Sequence, residues 1–319
     1  MNSETSVSQP DASGTAPKQL DSIPSLKLSD GNELPMISYG LGTANWKTGN
    51  RDELNDTIIN NVLTAIKSGY YSLDGAEVYG NELDLGAAIA RSGVPRSKLF
   101  VTTKTSCRPG TSIETAFNQS LAKLGLEYVD LYLIHSPFFA SSAEELQQKW
   151  AEMEALKESG RARSIGVSNF LREHLEALLA TPGGLRHPPV VNQIEYHPYL
   201  QHVDDRGFFE FHREHNVALQ AYAPLTALTK AKPGPVDGVY ERLAAKYGVG
   251  SGEVALRWCL DQGIAVITTS AREERLRGYM NRLPAFKLTP EEVEEISEKG
   301  KEKHFRGFWG NKYAENDRR

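Results

Sequence analysis

From Leu26 onward, short apolar runs alternate with longer stretches whose apolar residues recur every three or four positions. The runs ISYGLG, YYSLD, LFVTTK, VDLYLIH, RSIGVS, VVNQIE, ALQAY and AVITT are rich in Val, Ile, Leu and Tyr. Such continuous runs predict strands buried on both faces, as parallel sheets require. Helical spacing marks Leu54–Lys67, Leu83–Arg91, Ile113–Leu124, Ala143–Glu158, Glu173–Leu179 and Phe208–Glu214. VYERLAAKYG and SGEVALRWCL fall before the eighth strand, and EERLRGYM follows it. Eight alternating units predict an α/β fold closed into a (β/α)8 barrel of the TIM type. Functional side chains are then expected on the loops at the strands' C-terminal ends. An open doubly wound sheet would carry G-x-G-x-x-G after its first strand. YGLGTANW holds two of those glycines and lacks the third.

The ends add two features to the barrel. LKLSDGNELP, with Asp-Gly between short alternating runs, predicts an N-terminal hairpin. LTPEEVEEISEKGK predicts an extra C-terminal helix with Thr289 as N-cap, Pro290 in the first turn and Glu292 completing a capping box. An aromatic segment, HFRGFWGNKY, follows it. The opening MNSETSVSQPDASGTAPKQL is polar throughout, so residues 1–23 are expected to form a disordered tail and residues 24–319 one barrel domain. That opening reads as neither a signal peptide nor a membrane span, and the expected address is the cytoplasm. Cys107 and Cys259 are too few for a disulfide framework, which fits a reducing compartment. A net charge of -5 over 319 residues supplies no basic field for a nucleic-acid partner.

In this frame strand two ends at Asp74, strand three at Lys104 and strand four at His135, with Tyr79 on the loop leaving strand two. Neighbouring strands lie about 4.8 Å apart, so carboxylate, ammonium, imidazole and phenol converge on one mouth. Taken singly, each has an ordinary explanation: a loop brace, a solvated lysine, a core histidine, a packed ring. Together they suit proton donation to a carbonyl being reduced. Lys104, oriented by Asp74, is expected to lower the pKa of Tyr79 from about 10. Tyr79 then serves as general acid, and His135 fixes the carbonyl oxygen. No serine or cysteine stands out as a nucleophile beside the histidine, so hydrolysis is not the natural reading. His212 and His215 in HREH are spaced i,i+3 without a third ligand nearby, so no metal is expected.

At these residues the chain resembles the aldo-keto reductase family. The matching motifs are Asp74, Tyr79, Gly80 and Glu82, then Thr103–Lys104, then IHSP from Ile134 to Pro137. KESGRARSIGVSNF, Lys157 to Phe170, and VNQIEYHPYL follow in order. The likeness runs from about Leu26 to Arg282. It implies reduction of an aldehyde or ketone with NADP(H), without a Rossmann fold. By position, it implies that Ser168, Asn169 and Gln193 hold the nicotinamide carboxamide and that Tyr222 stacks on the ring. Thr43 and Asp74 would meet the nicotinamide ribose, and Leu225, Ser270 and Arg275 the phosphates. The chain departs from the family's pattern at Thr269, where Lys is usual, at Gly278 and Tyr279, where Glu-Asn contacts adenine, and at Gly75 and Ala223. The missing lysine leaves NADH use open, while Arg275 and Arg272 favour NADPH.

The ITTS and GTANWKTG stretches are similar to a fungal subgroup that reduces conjugated polyketones and ketopantoyl lactone. That likeness implies α-dicarbonyl substrates such as isatins, ketopantoyl lactone and α-keto amides or esters. Trp46, Phe138 and Phe139 are expected to form an apolar substrate wall, and Phe305, Phe308 and Trp309 either close the same mouth or pack as core. The partner is a small carbonyl compound, with no membrane or nucleic acid, and the barrel is expected to be a monomer. Two other readings use the same fold: a cofactor-binding regulatory subunit with little turnover, and an isomerase or aldolase barrel with Lys104 as Schiff-base lysine.

Overall fold

A computed structural model of the protein describes residues 23–319. The disordered tail expected at the N-terminus lies, save its last residue, outside them. Two short strands, β1 (Ser25–Lys27) and β2 (Glu33–Pro35), pair antiparallel as the expected hairpin. Eight parallel strands follow: β3 (Ile37–Gly40), β4 (Ser72–Asp74), β5 (Phe100–Thr105), β6 (Val129–Ile134), β7 (Ala162–Ser168), β8 (Val191–Glu195), β9 (Ala218–Tyr222) and β10 (Ala265–Thr268). Each pairs with the next, and β10 returns to β3, so the sheet is a closed barrel and not the open alternative.

Helices surround it: α1 (Asp56–Lys67), α2 (Glu82–Arg91), α3 (Ile113–Leu124), α4 (Ala143–Glu158) and α5 (Arg172–Leu179). They continue as α6 (Phe208–Glu214), α7 (Asp237–Tyr247), α8 (Ser251–Leu260), α9 (Glu273–Arg282) and α10 (Pro290–Lys301). Their starts are chemically marked. Asn55 accepts from the backbone N–H of Thr57 and Ile58, Ser112 from Thr115, and Ser142 from Glu145. Each such cap contributes about 1 kcal/mol. At α10 the capping box forms as read, Thr289 accepting from the Glu292 N–H and Glu292 accepting from the Thr289 N–H.

Two apolar regions hold the barrel. One lies between strands and helices and includes Ile59, Val62, Phe117, Trp150, Leu175 and Trp258. The other plugs the N-terminal end, where Leu28 and Leu34 of the hairpin region meet Phe100, Leu131, Leu133 and Val191. The opposite end is therefore the open one. There, register sets the stagger: Asp74 is level with Thr102, and Lys104 with Leu133. Each functional side chain thus sits two residues further along than its neighbour's level, on the same inward face. No helix among the described residues is long and apolar enough to cross a membrane.

Candidate active site

The strand ends of β4, β5 and β6 bring Asp74, Lys104 and His135 together, and Tyr79 folds over them from a three-residue turn, Glu77–Tyr79. Lys104 is fully buried and uses all three of its donors. It donates to Asp74 Oδ1 at 2.6 Å, to the Gly75 carbonyl at 2.8 Å and to the Tyr79 hydroxyl at 3.3 Å. The second carboxylate oxygen of Asp74 accepts from Gln193 Nε2 at 2.8 Å. That amide also donates to Gln220 Oε1 at 2.9 Å, and Gln220 donates to Ser38 Oγ at 3.3 Å. A polar chain through the barrel lumen therefore fixes the carboxylate, which fixes the ammonium. Gly42 clears the space for the phenol, since a Cβ there would lie 3.3 Å from Tyr79 Cζ. The ring of Tyr79 meets His135 edge-on, with centroids 5.6 Å apart, and Trp46 at 5.4 Å.

The electrostatics correct one expectation. Burial pushes the Tyr79 hydroxyl above the ordinary phenol range; Lys104 opposes that shift and Asp74 adds to it, and burial prevails. The phenol is raised, not lowered, because the ammonium comes with its own counter-charge inside the same dry site. For Lys104, burial works against the charge, but Asp74 and Tyr79 outweigh it and hold its pKa above normal. A charged lysine with every donor engaged is unsuited to Schiff-base formation, which needs a neutral amine. His135 is neutral: burial, then the Lys104 charge, brings it down to about 3. Its Nδ1 is buried without a partner. Its own backbone N–H donates to the Thr105 carbonyl at 2.8 Å, and its carbonyl accepts from Asn169 Nδ2 at 2.8 Å.

These side chains open into a cavity of about 970 Å³. Of the residues singled out from the sequence, Thr43, Trp46, Asp74, Tyr79, His135, Phe138, Phe139, Ser168, Asn169, Gln193, Tyr222, Leu225 and Arg275 line it. Lys104 stands behind Tyr79. Ser270 and Arg272 do not line it: Ser270 Oγ accepts from the Arg272 backbone N–H at 3.0 Å, closing a tight turn. Gly278 and Tyr279 do not line it either, and Tyr279 is packed in the core. The amide groups are preset. Tyr222 donates to Asn169 Oδ1 at 2.7 Å, Asn169 Nδ2 donates to Ser168 Oγ at 3.0 Å, and Ser168 donates to the Gln193 carbonyl at 2.7 Å. Asn169 takes a left-handed φ of 61 to do this. One end of the cavity thus offers amides and an aromatic face, and its wall also carries three cations, Arg275, Lys230 and Lys312. An elongated cofactor with an amide-bearing ring at one end and phosphates at the other fits that donor set.

Two contributions escaped the sequence reading. Lys230 lies in the loop after β9, with its ammonium 4.1 Å from the Phe308 ring centroid. Glu195, at the end of β8, is 2% exposed and accepts from the backbone N–H of Gly307 at 2.7 Å and of Phe308 at 3.1 Å. It clamps the C-terminal segment so that Phe308 meets Tyr222 edge-on at 5.3 Å and Trp309 packs on Phe138 at 5.1 Å and His135 at 6.1 Å. Phe308 and Trp309 therefore line the mouth, whereas Phe305 packs beside His197. A buried acid in an apolar strand was the only sequence signal for Glu195. His212 has both ring nitrogens engaged in the core, with Asn192 at 3.0 Å and the Phe208 carbonyl at 2.6 Å. Burial pushes the Cys107 thiol up to about 12 and raises Cys259 as well, so both are unreactive near neutral pH.

Comparison with known proteins agrees with this geometry. The aldo/keto reductase family model matches residues 37–301. An NAD/NADP-dependent indole-3-acetaldehyde reductase of Schizosaccharomyces pombe is 37% identical, over 87% of this chain and 96% of that protein. An NADPH-dependent alpha-keto amide reductase of Saccharomyces cerevisiae is 34% identical, over 90% of this chain and 94% of its own length. Among solved structures, a Bombyx mori aldo-keto reductase in complex with NADP superposes with a TM-score of 0.74 at 32% identity, over 87% of this chain and 92% of that one. With most of its barrel matched by one family model, this chain belongs to the aldo/keto reductase family, a family of NAD(P)-dependent carbonyl reductases.

Proposed function

We propose that the protein reduces α-dicarbonyl compounds to hydroxy-carbonyl products with NADPH, using Tyr79 as general acid. The observation that carries this reading is the triple engagement of Lys104. Because the ammonium donates to the phenol oxygen, the phenol's own proton points away from Lys104, into the cavity where a carbonyl oxygen would lie. The cofactor, when bound, supplies the hydride. Asn169, Gln193 and Ser168 would orient its amide-bearing ring, Tyr222 would support the ring face, and Arg275 with Lys230 would hold phosphates. Arg275 favours the extra phosphate of NADPH over NADH, as the name of the yeast relative also suggests.

The chain's own residues then do the rest. Tyr79 transfers its proton to the oxygen as negative charge builds there, and Lys104 stabilises the phenolate left behind. Neutral His135, with Nδ1 buried, presents Nε2–H to the same oxygen and fixes the angle of approach. Trp46, Phe138 and Trp309 form flat apolar walls suited to planar conjugated substrates. A neighbouring carbonyl draws electrons from the reacting carbon and makes it a better hydride acceptor, which fits the α-keto amide specificity named for a relative 34% identical. The test is a panel of isatin, ketopantoyl lactone, an α-keto amide and simple aldehydes, each assayed with NADPH and with NADH. Highest kcat/KM on the dicarbonyls with NADPH is expected; a preference for unactivated aldehydes would overturn the substrate class.

A further inference from the structure

A second cavity lies on the far side of the turn that carries Tyr79. Glu77 faces this cavity, while Val78 and Tyr79 line the first, so the turn Glu77–Tyr79 is a wall common to both. Its volume of about 400 Å³ accommodates a small polar molecule. Arg51, Arg108 and Lys123 bring cationic groups to it, and Thr105, Thr111 and Ser120 bring hydroxyls. The cavity also holds three acids, Asp52, Glu77 and Glu82, and the last two are engaged within the protein. Glu82 accepts from Thr103 Oγ1 at 2.7 Å, and Glu77 accepts from the Ser106 N–H at 2.7 Å.

The cations are held loosely by comparison. Arg108 Nε stands 3.8 Å from Glu77 with its side chain 58% exposed, and Arg51 makes a single 3.3 Å bond to the Val78 carbonyl. Ser120 is 1% exposed and lines the cavity, with its hydroxyl hydrogen-bonded to the Glu82 carboxyl, whose charge it supports. Loosely held cations around a polar recess with hydroxyls in its wall match a ligand that carries both negative charge and hydroxyl groups.

We propose that this cavity binds a small hydroxylated anion of the polyol-phosphate class, which competes with the Glu77–Tyr79 turn for Arg51 and Arg108. The connection to the turn is mechanical. Arg51 lies across Gly80, where a Cβ would meet its Nε at 2.7 Å, and Gly80 holds φ at 72 directly after Tyr79. Drawing Arg51 toward an anion removes both its bond to the Val78 carbonyl and its packing over Gly80. The turn then loosens and the hydroxyl of Tyr79 is less well fixed against Lys104, so turnover slows. This second effect rests on Tyr79 being the proton donor, whereas binding at the cavity does not.

The test is calorimetric titration of the full chain with glycerol 3-phosphate while NADP+ saturates the first cavity, so that Arg275 and Lys230 are occupied. Binding is expected, weakened by about tenfold or more in Lys123→Met and in Arg108→Gln, as loss of one charge-assisted hydrogen bond implies. Arg275→Ala should leave it unchanged once NADP+ is again saturating. Inorganic phosphate should bind more weakly than glycerol 3-phosphate, and glycerol alone should not bind. In steady-state assays glycerol 3-phosphate should lower kcat of the parent and leave Lys123→Met, which keeps its basal turnover, unaffected. Absence of binding heat, or heat that persists in both charge variants, overturns the site. Binding with kcat unmoved overturns the link to the turn. A chain inactive on every carbonyl would refute the role of Tyr79 and leave the calorimetric result standing.

Discussion

Replacing Tyr79 by Phe deletes one oxygen from the centre of the site and leaves the ring to pack. The ring's contacts with Trp46 and His135, at 5.4 and 5.6 Å between centroids, do not involve the hydroxyl. Lys104 loses the longest of its three acceptors, 3.3 Å against 2.6 and 2.8 Å for the two that remain. One buried N–H is left unmet, at a cost of about 1–3 kcal/mol. Water entering from the cavity reduces that figure, so the variant should fold, with Tm lower by a few degrees at most. Chemistry suffers far more. A positioned general acid contributes about 10²–10⁴ in rate, and no other side chain in the site can replace it. His135 is held neutral near about 3 and cannot serve as an imidazolium donor at working pH. The expected result is a fall in kcat of about a hundredfold or more, with NADPH affinity, read from quenching of the Trp46 and Trp309 fluorescence, nearly the same. Single-turnover measurements would place the loss in the chemical step. A variant within about tenfold of the parent would refute the acid assignment, and an equal loss of NADPH affinity would mean that the ring, not the hydroxyl, carries the effect.

Arg275→Ala should weaken NADPH by about tenfold or more and NADH much less; equal losses in fluorescence titrations would put the 2′-phosphate elsewhere. Glu195→Gln replaces an acceptor by an amide at the point where two backbone N–H groups converge. It should free residues 307–309, raise KM for planar substrates several-fold and leave NADPH affinity unchanged; trypsin cleavage at Lys303 or Arg306 no faster than in the parent would count against the clamp. Burial brings His135 and His202 down to about 3 and His212 to about 4, below the ordinary value of about 6.5. The unfolded chain therefore takes up protons first, and stability is complete above pH 6.5 and declines as pH falls toward the folded values. Each should cost up to about 2 kcal/mol between pH 6.5 and 5, seen as lower urea midpoints, and imidazole NMR signals for these three that titrate near pH 6.5 would refute their burial.

The strand and helix pattern was legible because a barrel repeats one simple rule eight times. Strand positions buried on both faces read as unbroken Val, Ile and Leu runs, and α3, α4, α6 and α8 begin and end where their apolar spacing does. The convergence of Asp74, Lys104, His135 and Tyr79 followed from strand order alone, since neighbouring strands in a parallel barrel share one open end. What stayed hidden depends on loops. Lys230 reaches the site through segment 223–232, and Glu195, at the end of β8, acts there by holding segment 303–313, paths that no periodicity encodes. The setting of Ser270 was hidden for the same reason: after β10 the chain turns sharply, and the Ser270 hydroxyl accepts from the Arg272 N–H in that turn. The aromatic C-terminal segment was ambiguous in sequence because Phe305, Phe308 and Trp309 look alike there, yet only Phe308, whose N–H Glu195 holds, and Trp309 line the mouth.

The raised pKa of Tyr79 changes what Lys104 is for. A lysine whose purpose was to acidify the phenol would be expected to win against burial, and here it does not. The phenol keeps its proton at any pH where the protein works, which is what a donor to a nascent alkoxide needs. In the mechanism we propose, Lys104 matters at two other moments. Before reaction its third N–H occupies the phenol oxygen and turns the proton toward the substrate. After reaction it faces a phenolate, and the ion pair formed in a dry site is worth more than the same pair in water. Asp74 and Gln193 support both moments by denying the ammonium any other orientation. The alkaline limb of kcat should therefore lie above the ordinary phenol value of about 10, on the side that burial dictates and opposite to the side that the charge of Lys104 alone would give.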